Sequence, residues 1–238
     1  MAEIIHRELD PQKSLIKLII WDVDGTLYQS SPDIAEQYRN ANKMLFKKCF
    51  PERSEEELLQ KFLRMKAQTK SSTQALSNMG CGSLVEVEYQ LEQYLDTKKS
   101  IHPDEKLVAF FSRLSQNYPI RHWAVRNGFT ESTIERLLSI GFEKGFGGSY
   151  GPFEKVIGTF DTYNVAKPSQ LIFDDLLHMS GVPAHTILSV GDRVDIELTP
   201  AKKLGMQTAL VTYGKPAEKN KDVDSIIQTP YEIEPVLQ

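Results

Sequence analysis

The stretch LIKLIIWDVDGTLYQS, residues 15–30, sets an almost wholly apolar run against two carboxylates two positions apart, Asp22 and Asp24, followed by Gly25 and Thr26. The run is short, β-branched and interrupted only by Lys17, so it reads as a buried strand of a parallel sheet and is far too short to span a bilayer. In open α/β sheets the ligand crevice lies beyond the carboxyl ends of the strands. Two acids at such an end repel each other unless something offsets their charge.

Working outward, the chain changes character twice. From Pro32 to about Leu95 it is rich in Glu, Gln, Lys, Leu and Met and poor in β-branched residues. SPDIAEQYRNANKMLFKKCF opens a helix, with Ser31 as N-cap and Pro32 at the first helical position. PERSEEELLQKFLRMKAQT puts Leu58, Phe62 and Met65 on one amphipathic face, and GSLVEVEYQLEQYLDTKK reads as another helix. Beyond this block helices and strands alternate. PDEKLVAFFSRLSQ is a helix and IRHWAV a strand. TESTIERLLSIG is a helix ending at Gly141, and KPSQLIFDDLLHMSG one closing on Gly181. TILSVGD and MQTALVTYG are strands, with the helix ELTPAKKLG between them. The expected fold is α/β, a Rossmann-like parallel sheet covered on both faces and interrupted after its first strand by an all-helical insert. The expected division is a core of residues 1–27 and 102–238 with an insert of 28–101.

Composition narrows the function. Across 238 residues, 28 Lys and Arg stand against 32 Asp and Glu, a net charge of -4, so no basic footprint for nucleic acid or an anionic membrane is present. Cys49 and Cys81 fit no C-x-x-C pattern and are expected to be reduced; the amino terminus has no signal-peptide pattern, so cytoplasmic residence is expected. The five histidines are scattered without zinc-ligand spacing. No G-x-G-x-x-G follows the first strand, and KGFGGSYGP lacks a P-loop Lys-Ser/Thr, so its glycines are expected to serve a turn or flap.

Other strand ends are polar as well. HWAV ends in Arg126, Asn127 and Gly128; ILSV ends in Gly191, Asp192 and Arg193, with Asp195 and Glu197 just beyond; Lys167 stands in NVAKPSQ before a helix. A lone D-x-D can be an Asx turn, Asp195 or Glu197 can cap a helix, and a lone lysine is by default a surface residue. Acids gathered at two strand ends with a lysine between them argue otherwise. Unpaired buried carboxylates are costly, and a hard divalent cation with oxygen ligands resolves the conflict.

DVDGTLY, AVRNG, AKP and VGDRVDIE, in this order and spacing, resemble the haloacid dehalogenase (HAD) superfamily of phosphohydrolases over the whole chain, including a helical cap inserted after the first strand. Among its members the chain most resembles pyrimidine 5′-nucleotidase-like and phosphoglycolate phosphatase-like proteins. The resemblance implies a Mg²⁺-dependent phosphatase of a small phosphorylated metabolite. Asp22 matches the nucleophile that forms an aspartyl-phosphate, and Asp24 the general acid/base. Asp22, the main-chain carbonyl of Asp24 and Asp192 match the Mg²⁺ ligands, with Glu197 or Asp195 as a further acidic contact to the metal's waters. Lys167 matches the lysine that neutralises nucleophile and phosphate oxygens, and Asn127 the residue after the phosphate-binding hydroxyl. The true dehalogenases lack an acid at the position of Asp24, which favours phosphate esters. Arg126 departs from the family, which has Ser or Thr there. It would either grip phosphate as a bidentate fork or fill the pocket and pair with Asp22 or Asp192. A catalytically weak relative that only binds, and a phosphomutase, are the alternatives.

Overall fold

The computed structural model describes residues 16–145 and 148–237. The amino-terminal segment 1–15, which carries no signal-peptide pattern, lies outside them, as do Phe146 and Gly147 of the glycine-rich stretch. In chain order come β1 (Leu18–Trp21), then the helices α1 (Pro32–Cys49), α2 (Glu55–Thr69), α3 (Ser72–Met79), α4 (Leu84–Glu92) and α5 (Thr97–Ser100). They are followed by α6 (Glu105–Asn117), β2 (Arg121–Arg126), α7 (Thr130–Ile140), β3 (Phe153–Gly158), α8 (Thr159–Tyr163) and α9 (Gln170–Ser180). Last come β4 (Ile187–Gly191), a π-helical turn (Val194–Leu198), α10 (Thr199–Lys203), β5 (Gln207–Val211) and β6 (Ser225–Ile227).

The six strands form one sheet in the order β3-β2-β1-β4-β5-β6, every pairing parallel. β1 is apolar on both faces because both are covered. Ile19 and Trp21 join a cluster with Phe110, Phe111 and Leu114 of α6 and Leu137 of α7. Leu18 and Ile20 join a second with Ile172, Phe173 and Leu176 of α9. β1 lies between β2 and β4, with Trp21 in register with Ala124 and Val190. The polar ends of three strands therefore meet at one edge of the sheet. Two strands go beyond the sequence reading: β3 and β6 are the sheet's edges, and Glu154 and Lys155 of β3 are exposed, so neither carries a strong apolar pattern.

Helices α1 to α4 gather around an apolar cluster of their own, including Leu45, Phe46, Leu58, Phe62, Leu76, Met79, Val87 and Leu91. α1 starts as read: Ile34 N–H donates to Ser31 Oγ at 3.2 Å, and Pro32 occupies the first turn. Cys49 and Cys81 are free thiols, Cys49 Sγ donating to the Cys81 carbonyl at 3.9 Å. In the glycine-rich stretch, Lys144 pairs antiparallel with Tyr150, and Gly151 takes φ +56°, which makes a tight turn before β3. Among the described residues no helix is long and apolar enough to cross a membrane.

Candidate active site

Asp22 follows directly on β1, and its backbone N–H donates to the Val190 carbonyl of β4 at 2.9 Å. Its buried carboxylate is held on both oxygens. Lys167 Nζ donates to Oδ1 at 2.6 Å and Thr26 Oγ1 to Oδ2 at 2.9 Å. Lys167 is itself buried, donates to the Val125 carbonyl at 3.1 Å and lies 3.2 Å from Glu197 Oε1. Burial opposes its charge, but Asp22 and Glu197 outweigh burial and hold its pKa above the ordinary value. Asn127 fixes the loop that carries this lysine. Its Oδ1 accepts from Lys167 N–H at 2.8 Å and from Thr159 Oγ1 at 3.0 Å, and its Nδ2 donates to the Lys167 carbonyl at 3.3 Å.

Asp192 stands one residue past β4. Gly25 takes φ +86°, and a Cβ there would lie 2.5 Å from Asp192 Oδ2, so only glycine lets the two loops meet. Asp192 Oδ1 is buried without a hydrogen-bond partner, with Arg193 Nε at 3.7 Å. Burial, then the charge of Asp22, pushes its carboxyl up to about 6. Glu197, on the π-helical turn, lies 3.4 Å from Arg193 Nη2 as well as beside Lys167; burial raises its pKa, Lys167 opposes this and the charge of Asp22 adds to it.

The acids expected around a metal are thus divided. Asp22 and Asp192 come together. Glu197 pairs with Lys167 and Arg193 through Oε1, and its Oε2 is buried without a hydrogen-bond partner. Asp195 is half-exposed and pairs with Lys70 at the end of α2, Oδ2 to Nζ 3.2 Å. The Asp24 carboxylate is taken by arginines. Among the described residues no group of three or more His, Cys, Asp or Glu side chains is placed to hold a metal ion. What remains is a pair of hard carboxylates, mutually repelling, with one buried oxygen unpartnered. That donor set fits Mg²⁺, which keeps several waters and takes one or two carboxylates.

Asp24 points the other way. Arg126 Nε donates to its Oδ2 at 2.6 Å, Arg136 Nε pairs with Oδ1 at 3.1 Å, and the Tyr28 hydroxyl donates to Oδ1. Burial would raise the Asp24 pKa; Arg126, Arg136 and the Tyr28 hydroxyl overturn that and hold the carboxyl well below the usual range. Arg126, only 2% exposed, also donates from Nη1 to Ser132 Oγ at 3.2 Å and from Nη2 to Tyr38 Oη at 3.3 Å, with Glu92 Oε1 3.8 Å from Nη1. Every nitrogen of its fork is engaged within the protein, so the side chain pairs with a carboxylate and leaves no free fork for phosphate. Its partner is Asp24, not the expected Asp22 or Asp192, because β2 aims it at the outer of the two acids. Gly128 makes room: a Cβ there, at φ +155°, would lie 1.8 Å from Arg126 Nη1.

Arg136, Tyr28, Tyr38, Glu88 and Glu92 escaped the motif reading. Two of them left a trace. Arg136 shares the buried stripe of α7 with Thr133, Leu137 and Ile140, and Glu88 that of α4 with Leu84, Val87 and Leu91. A charge on an apolar stripe signals a buried partner.

A family model described as haloacid dehalogenase-like hydrolase matches residues 16–205. The glyceraldehyde 3-phosphate phosphatase of Methanopyrus kandleri is 27% identical over 209 residues, which cover 84% of this chain and 86% of that protein. A HAD phosphatase structure from Thermococcus onnurineus aligns with TM-score 0.64 at 21% identity, covering 93% of this chain and 97% of that one. The HAD-hydrolase YfnB of Bacillus subtilis, solved bound to magnesium, aligns with TM-score 0.55 at 16% identity, covering 93% and 98%.

Proposed function

Because the chain belongs to the haloacid dehalogenase-like hydrolases, we propose that it is a phosphatase that hydrolyses a phosphate ester of a small metabolite, with Asp22 as nucleophile. The observation that carries this reading is the Asp22 carboxylate, buried at the central strand end with Lys167 at 2.6 Å and Thr26 at 2.9 Å. A carboxylate so held is aimed and needs no reorganisation to attack. An Asp22 oxygen bonds to phosphorus as the ester P–O bond breaks and the leaving oxygen takes a proton from Asp24, the matched acid/base; water, returning a proton to Asp24, then cleaves the aspartyl-phosphate to regenerate Asp22. Lys167 neutralises charge on Asp22 and on the transferring oxygens, and Asn127 keeps Lys167 in place. Mg²⁺, held by Asp22, Asp192 and the main-chain carbonyl of Asp24, would add charge neutralisation at the phosphoryl group. The insert, about residues 28–101, would act as a cap over the crevice; its separate apolar cluster and the Lys70–Asp195 pair support this. The Methanopyrus kandleri relative, named for glyceraldehyde 3-phosphate, supports a short phosphorylated sugar as substrate.

A second reading has its own observation. Asp24, the matched acid/base, is held ionised by Arg126 and Arg136, which suits a catalytically restrained protein. One experiment separates the two. A panel of phosphate esters is assayed with and without Mg²⁺, using wild type and Asp22→Asn. The phosphatase reading expects Mg²⁺-dependent phosphate release that Asp22→Asn abolishes without loss of fold. Turnover that survives Asp22→Asn removes Asp22 from the mechanism.

A further inference from the structure

Arg136 belongs to no motif, yet it meets the Asp24 carboxylate beside Arg126. We propose that Arg136, acting with Arg126, is a positioning residue that couples Asp24 to the seating of the inserted helices, so that Asp24 reaches a bound phosphate ester only when those helices draw Arg126 away. This rests on the reading of Asp22 and Asp24 as the reacting groups.

The geometry has two sides. Towards the sheet, both guanidinium groups converge on Asp24, at 2.6 and 3.1 Å. Towards the insert, both reach the hydroxyl of Tyr38 on α1, at 3.3 and 3.5 Å. Both arginines are almost wholly buried, so neither exchanges its partners for water at low cost. Arg126 has a further, incomplete partner. Glu92, the last residue of α4, holds Oε1 3.8 Å from Arg126 Nη1, and that oxygen is buried with no hydrogen bond. An approach of about 1 Å would make it one.

Closer seating of α4 therefore satisfies Glu92 through Nη1 and divides the Arg126 charge between two carboxylates, which weakens its hold on Asp24 through Nε. Withdrawal of α1 and α4 strips Tyr38 and Glu92 from the arginines and leaves Asp24 as their nearest anion. Helix seating and Asp24 release thus move together, with Arg126 as the shared partner. Arg136 sets how firmly Asp24 is kept when Arg126 leaves.

The test uses variants of opposite sign in the full chain with Mg²⁺ and p-nitrophenyl phosphate. Arg136→Met should raise kcat about fivefold, the size of coupling such networks carry, with KM little changed, and Arg136→Lys should restore the wild-type rate. Glu92→Gln should lower kcat, because the competing anion is gone. A merely structural pair would move both variants in the same direction. The proposal is overturned if Arg136→Met and Glu92→Gln shift kcat alike, or if neither shifts it. Should Arg136→Met fail to fold, Glu92→Gln decides: a fall in kcat with the wild-type melting temperature supports the coupling, and no fall, or a fall matched by lost stability, overturns it. If wild type itself releases no phosphate, the phosphatase reading fails separately, and amide exchange reads the coupling. Slower exchange in α1 and α4 of Arg136→Met supports it, since freeing Asp24 favours the seated helices, and unchanged or faster exchange overturns it.

Discussion

Glu88 is a buried acid beside two arginines, and burial keeps its proton on to a higher pH than an exposed carboxyl would hold it. Arg126 and Arg136 face the carboxylates of Asp24 and Glu92, which match them in number. Glu88 is the odd acid. It keeps one neutral bond, Thr73 Oγ1 donating to Oε2 at 2.7 Å. Burial, opposed by Arg126 and by that bond, pushes its carboxyl from 4.5 up to about 7. A raised carboxyl binds its proton more tightly in the folded state than in the unfolded one. The stability it allows is therefore complete below pH 4.5 and is lost as pH rises to about 7. The shift corresponds to about 3 kcal/mol, or about 6–12 °C in melting temperature for a chain of this size. Glu88→Gln is neutral at every pH, and its carbonyl oxygen can still accept from Thr73. Thermal unfolding of both proteins from pH 4.5 to 8.5 without metal isolates the group, since every other titration is shared. The two should melt together at the acid end, with the variant progressively more stable towards pH 8. A difference flat with pH, or a wild type more stable at pH 8, would show that Glu88 is ionised and paired with the arginines, and the charge count would fall with it.

Other outcomes follow from the same geometry. Lys167→Met leaves Asp22 and Glu197 buried without their shared ammonium, so denaturant unfolding should register a loss of about 3–5 kcal/mol; stability like that of wild type would mean that Lys167 is not their counterion. Mg²⁺ at a hundred times its dissociation constant should stabilise the protein by about 2.7 kcal/mol, and Asp192→Asn should remove most of that gain; calorimetric binding that survives the substitution would move the cation elsewhere.

The centre of the sheet was legible because β1 is covered on both faces and so reads as an apolar run, and its end was legible because a second acidic strand end and a lysine between them set its two acids apart from a simple Asx turn. Asp192 stood out as a charge where an apolar strand ends, whereas Lys167 alone reads as a surface lysine and drew its expected role from the family resemblance. The edges were not legible. β3 exposes Glu154 and Lys155, and β6 is too short to show a period. Nor was the destination of Arg126, which depends on a carboxylate 102 positions away and on the opening left by Gly128. Asn127 was legible as a strand-end residue, but its hold on the Lys167 loop depends on a chain segment 40 positions on. Contacts of that range are set by the folded topology and leave no local pattern.

Asp22 and Asp24 tolerate each other because the chain pulls them apart. Asp22 is turned to Lys167 and Thr26, and Asp24 to Arg126, Arg136 and Tyr28 beneath the inserted helices. Around Asp24, two arginines already hold the carboxylate. Around Asp22, Lys167 and Arg193 pair with Asp22, Glu197 and Asp192, and the charge of Lys215 acts on Asp192 as well. Burial, then the charge of Asp22, nevertheless raises the Asp192 carboxyl, and its Oδ1 has no hydrogen-bond partner. A divalent cation would offset that repulsion and bring positive charge to the place where a phosphate dianion must enter a site lined by carboxylates. The unpartnered oxygen and the raised carboxyl therefore favour a metal on the Asp22–Asp192 side, where no arginine holds the carboxylates as Arg126 and Arg136 hold Asp24.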